Sequence, residues 1–153
     1  MNPQSYLRHR RLFEVGFWVL LAGLNCAGNA ITINIDMANM GLDVQRWEPW
    51  VWESSSALTW LGLIPLLVLI NQRFPLQSGR FRRSAAAHLL FTVPFSLLHV
   101  LGMVALRELA YAWMGGNYDF GDWADGLGYE YLKDARTYGA FLATIYLYRF
   151  VLR

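Results

Sequence analysis

The chain has a single cysteine, Cys26, among its 153 residues. That excludes an intrachain disulfide, a thiolate metal site and c-type haem attachment. Charge is scarce as well: Asp, Glu, Lys and Arg make up 16% of the chain, against about 25% in a typical soluble domain. No segment alternates polar and apolar residues as a barrel strand does. There is no P-loop, no HExxH and no Ser-His-Asp or Cys-His arrangement, so no enzymatic activity is expected. Asp119, Asp122 and Asp125 share one loop, but it lacks the closing Glu of a calcium-binding EF-hand. His9, His88 and His99 are the only histidines. Two-histidine haem ligation would need partners on another helix, which they do not supply. Neither cofactor nor metal is expected.

What is present is apolar and arranged in blocks. Hydrophobic residues account for 56% of the chain and seven are tryptophan. A helix needs about 20 mainly apolar residues to cross a bilayer. Four segments reach that length, at about 12–36, 50–72, 84–114 and 128–153. The expected fold is an all-α integral membrane protein, a four-helix transmembrane bundle in one domain. Pro65 and Pro94 fall inside two of these helices, which membrane helices tolerate where neighbours satisfy the freed carbonyl.

The basic residues set the expected orientation. Arg8, Arg10 and Arg11 precede the first segment, and Arg73, Arg80, Arg82 and Arg83 join the second to the third. Arg149 and Arg153 close the chain. The other two connections hold acidic residues and only Arg46. By the positive-inside rule both termini are cytoplasmic, in a multi-pass membrane protein. Trp47, Trp50, Trp52, Trp113 and Trp123 fit the aromatic belt of the outer interface.

Counting about 20 residues outward from the basic side places seven ionisable side chains at one outer level. They are Glu53 in the second segment, Arg107 and Glu108 in the third, and Glu130, Lys133, Asp134 and Arg136 in the fourth. Glu130 and Asp134, four apart, share a helix face. Two readings stay open: an ion-pair network that fixes helix packing, or a ligand or signal-sensing pocket open to the outside. Deeper in the chain, Asn25, Asn29 and His99 are intramembrane polar residues. Hydrogen bonds between helices, with Asn25 or Asn29 serving His99, account for them as readily as function does.

Several stretches, RWEPWVWESSSAL, NQRFPL, FSLLHVLGMVALRELAY, YEYLKDARTY and YLYRF, resemble the N-terminal membrane domain of membrane-anchored LytTR-type transcriptional regulators of proteobacteria. The resemblance runs from about Arg46 onward. The membrane halves of LytS-like sensor kinases are a neighbouring group. It implies four membrane helices ahead of a cytoplasmic DNA-binding domain, and restraint by a small membrane partner. The sequence given stops at RFVLR, so direct nucleic-acid binding by this chain is not expected. The expected role is a sensory or regulatory membrane domain that relays an outer-side or intramembrane signal to a cytoplasmic output. A homodimer or a small membrane protein is the expected partner besides lipid, with a small-molecule ligand at the outer cluster left open. The alternatives are a structural anchor or dimerisation module, and a small membrane enzyme or carrier.

Overall fold

The structure, a computed structural model, describes residues 3–76 and 79–151, with side chains from Leu12 onward except Glu14, Arg149 and Val151. The side chains of Arg8, Arg10, Arg11 and Arg149, and all of Arg153, lie outside the described residues. The chain is all-helical: α1 (Pro3–Asn39), α2 (Glu48–Arg73), α3 (Phe81–Trp113) and α4 (Trp123–Val151). Among the described residues, three helices are long and apolar enough to cross a membrane: α1 over Val15–Asn39, then α2 and α3 over their full lengths. α4 is not among them, as its first half carries Asp125, Glu130, Lys133, Asp134 and Arg136.

Local chemistry sets the helix ends. α1 and α3 each stop in a Schellman motif, with a glycine at positive φ supplying the left-handed residue. At the first, Gly41 (φ 69°) donates to Ala38 O and Leu42 N donates to Met37 O. At the second, Gly115 (φ 78°) donates to Ala112 O and Gly116 N to Tyr111 O. α2 opens with Glu48 Oε1 reaching back to accept Gln45 N–H at 2.9 Å, which satisfies a backbone donor at the helix start. Asp122 caps α4, its Oδ1 accepting from Ala124 N at 2.8 Å and Asp125 N at 3.0 Å. That cap starts α4 at Trp123, rather than near residue 128 as the apolar pattern suggested.

The chain divides into two compact units, residues 1–61 and 62–153. In the first, Asn29 Nδ2 on α1 donates to Glu53 Oε2 on α2 at 2.9 Å. Thr32 and Asn34 return their side chains to the α1 backbone, at Gly28 O and Ala30 O. Apolar side chains along α1, among them Leu12, Val15, Leu20 and Leu24, are exposed.

The second unit is organised around α3 and α4, which pack against each other. α3 buries one stripe, His88, Thr92, Phe95, Ser96, His99, Val100, Met103, Val104, Arg107 and Tyr111, at the spacing of a helix face. Leu89, Leu90, Leu101 and Leu109 point outward. α4 answers with Glu130, Asp134, Tyr138, Leu142 and Ile145. α3 therefore leaves large apolar residues exposed while burying polar ones beside Phe95, Val100 and Met103. The loop after α3 folds back, and Tyr118, Phe120 and Leu127 pack on the core residues Val100, Met103 and Val104.

Candidate functional site: a buried polar seam between α3 and α4

The seam begins with residue type. His88, Thr92, Ser96 and His99 recur on α3 at intervals of four, four and three, so all of them meet α4. On α4, Glu130, Asp134 and Tyr138 recur every fourth residue and face back.

Asp134 sits at the centre. Its Oδ1 lies 2.8 Å from His99 Nδ1, and their side chains are 4% and 2% exposed. Its Oδ2 accepts Ser96 Oγ–H at 2.6 Å, the short distance of a hydroxyl bound to a carboxylate. One α4 carboxylate thus bridges two α3 residues. Beside it, Glu130 is held by Lys133 on the same helix, with Nζ 3.2 Å from Oε1 and 3.1 Å from Oε2. The ammonium group also lies over the Tyr129 ring, 5.3 Å from its centroid.

Toward the start of α3, Thr92 Oγ1 donates to Leu89 O at 2.7 Å and lies 3.1 Å from Tyr131 OH. The threonine proton is committed to the carbonyl, so Tyr131 donates to Thr92. His88 is held on both sides: Nε2 is 2.9 Å from Phe74 O and Nδ1 is 2.8 Å from Tyr138 OH. A carbonyl can only accept, so Nε2 carries the proton, and Nδ1 accepts from Tyr138 in the neutral ring. The Tyr138 ring also meets Phe95 edge-on, with centroids 5.2 Å apart. Near the end of α4, Tyr146 OH donates to Asn71 Oδ1 at 2.9 Å and accepts Leu76 N–H at 2.7 Å.

At the other extreme, Arg107 Nη1 donates to Tyr118 OH at 2.7 Å, with the guanidinium 5.5 Å from that ring's centroid. Tyr118 in turn packs edge-on against Tyr111. Polar contacts therefore run along the α3–α4 pair from Arg107 to Tyr146.

Glu130, Lys133 and Asp134 come together with His99, while Arg107 is directed to Tyr118 and Glu53 to Asn29. Glu108 and Arg136 are exposed. His99 lies against Asp134, Asn29 donates to Glu53, and Asn25 is exposed. The register of α3 on α4 sets Asp134 beside His99, near the middle of α3. Glu130 lies about two turns, and Asp134 about three, inside the helix. Ser96, Thr92, Tyr131, Tyr138 and Asn71 were not singled out from sequence. The signal was there in the polar members of the α3 stripe, each one helical repeat from the next.

The loop before α3 holds a second feature, an open depression lined by Gly79, Arg80, Phe81, Arg82 and Arg83. The acidic loop residues act locally: Asp119 Oδ1 accepts Gly121 N–H at 2.8 Å, and Asp122 caps α4.

No known family, curated protein or solved structure matches the chain.

Proposed function

We infer that the chain is a sensory or regulatory membrane domain in which the α3–α4 pair carries a signal from an outer-side or intramembrane site toward the cytoplasmic end of α4. In this reading all four helices cross a bacterial inner membrane as a bundle, with both termini cytoplasmic. α4 crosses despite its charges, because Glu130 and Asp134 are buried and membrane helices keep ionisable groups on protected faces. The observation that carries the reading is the Asp134 bridge to His99 and Ser96. A buried carboxylate held by two groups on a neighbouring helix has few alternative partners, so helix packing there is two-state rather than continuously adjustable. The resemblance to LytTR-type membrane domains supports the same role and points to a homodimer or a small membrane protein as partner. The exposed apolar face of α1 suits such a contact as well as lipid.

The test is a chromosomal Asp134→Asn substitution, compared with wild type at equal membrane abundance. A regulatory domain predicts a changed transcript profile. An unchanged profile, with the protein correctly inserted, removes the signalling role. A second reading rests on the satisfied bonds of the seam, which also serve an anchor that only locks α3 to α4. That reading predicts lower abundance of the variant and no change in output per molecule.

A further inference from the structure

His99, Glu130 and Asp134 are buried, and each offers a ligand atom within 4.8 Å of the others. His99 comes from α3; Glu130 and Asp134 stand one turn apart on the facing side of α4. One imidazole and two carboxylates are a donor set suited to divalent transition metals such as Zn2+, Mn2+ and Fe2+. The sequence did not reveal this set, because its members are 31 and 35 residues apart, by subtraction of 99 from 130 and 134. Only the register of α3 on α4 unites them.

Two further observations point to a cation. Glu130 Oε2 belongs to a side chain 9% exposed and makes no hydrogen bond, with the Lys133 ammonium 3.1 Å away outside hydrogen-bonding geometry. Lys133 is itself 39% exposed, so it can turn to water and leave both Glu130 oxygens to another cation. Asp134 Oδ2 accepts Ser96 Oγ–H at 2.6 Å, the kind of outer hydrogen bond that orients a ligating carboxylate. A cation between two carboxylates this close, both removed from water, offsets their mutual repulsion.

We propose that His99, Glu130 and Asp134 bind a divalent transition-metal ion. The ion sits among the three side chains, where His99 Nδ1 and Asp134 Oδ1 already lie 2.8 Å apart. Ligand atoms on a tetrahedral ion sit about 3.4 Å apart at bond lengths of about 2.1 Å. Small rotations of three side chains therefore close the site without moving either helix. Three protein ligands leave a coordination position for water or a small exogenous ligand.

The test uses the full chain in lipid nanodiscs, stripped with EDTA, dialysed, and titrated separately with ZnCl2 and CoCl2. Wild type should bind one equivalent per chain, with visible Co2+ absorption that saturates at the same point. His99→Gln and Glu130→Gln should each weaken binding at least about tenfold, and Ser96→Ala about tenfold through the outer hydrogen bond. Glu108→Gln, at an exposed acid, should bind as wild type does. Absence of a saturable site on folded wild-type protein overturns the proposal. So does binding that is undiminished in both His99→Gln and Glu130→Gln. If His99→Gln does not fold, Glu130→Gln decides. The titration reads binding alone, so it stands or falls separately from the relay.

Discussion

Asp134 and His99 meet at 2.8 Å across the α3–α4 interface, and Ser96 binds the other oxygen of the same carboxylate. α3 and α4 are therefore joined by polar groups buried between them. Breaking the joint exposes polar atoms to an apolar medium, while shifting it requires a matched alternative. This asymmetry makes the joint a candidate switch as well as a lock.

Removing the carboxylate should cost more than removing one of its partners. Asp134→Ala leaves His99 and Ser96 without this acceptor and is expected to destabilise the fold by about 1–3 kcal/mol. Ser96→Ala removes one interhelical hydrogen bond and should cost about 0.6 kcal/mol. Unfolding in mixed micelles by SDS titration measures both, and the Asp134→Ala/Ser96→Ala double variant should cost less than the sum of the two.

His88 should be a neutral Nε2–H imidazole, because Phe74 O fixes the proton on that nitrogen. Nitrogen-15 NMR of histidine-labelled protein reads the tautomer directly. Tyr138→Phe deletes the donor to Nδ1 while keeping the ring that packs on Phe95. It should shift the Nδ1 resonance and cost about 1 kcal/mol. An Nδ1–H resonance in wild type would contradict the hydrogen-bond assignment.

Much of this architecture was legible in the sequence, and the parts that were not share a cause. Three of the four helical segments follow from apolar length, and Gly41 and Gly115 end two helices where positive φ is needed. The start of α4 was misjudged because the Asp122 cap precedes the apolar run. The pairing of Asp134 with His99 was hidden because it depends on the register of α3 against α4. Arg107 was grouped with the acids because depth was counted along each helix alone. The loop residue that receives it, Tyr118, reaches α3 by a chain reversal that no periodicity encodes.

Gly126 faces Phe120 so closely that an added Cβ would sit 2.7 Å from the ring. Gly126→Ala must displace Phe120 from its contacts with Trp123 and the α3 core, and is expected to destabilise by about 1–3 kcal/mol. Gly62→Ala, where no atom lies within 4 Å of the new Cβ, should cause no loss. Thermal unfolding of the two variants in one detergent gives the comparison.

The proposed topology places the loop before α4 outside and the loop before α3 inside. A cysteine introduced at Asp119 in a Cys26→Ser background should react with an impermeant maleimide added to spheroplasts. One introduced at Gly79 should react only after permeabilisation. Reaction of both from one side would mean that α3 does not cross as proposed.

The central claim is that the outer part of the α3–α4 seam is coupled to its inner end, and one distance measures it. Spin labels at Leu90 and Leu147, exposed on α3 and α4, report the inner ends of the pair in liposomes, with Cys26→Ser as background. Asp134→Asn, or Ser96→Ala should the first variant not fold, lies outside that region. The account predicts a displacement of about 1–2 Å, or a second population, in the Leu90–Leu147 distribution. A distribution identical to wild type, in a variant that inserts and folds, would show that the seam only locks the helices together.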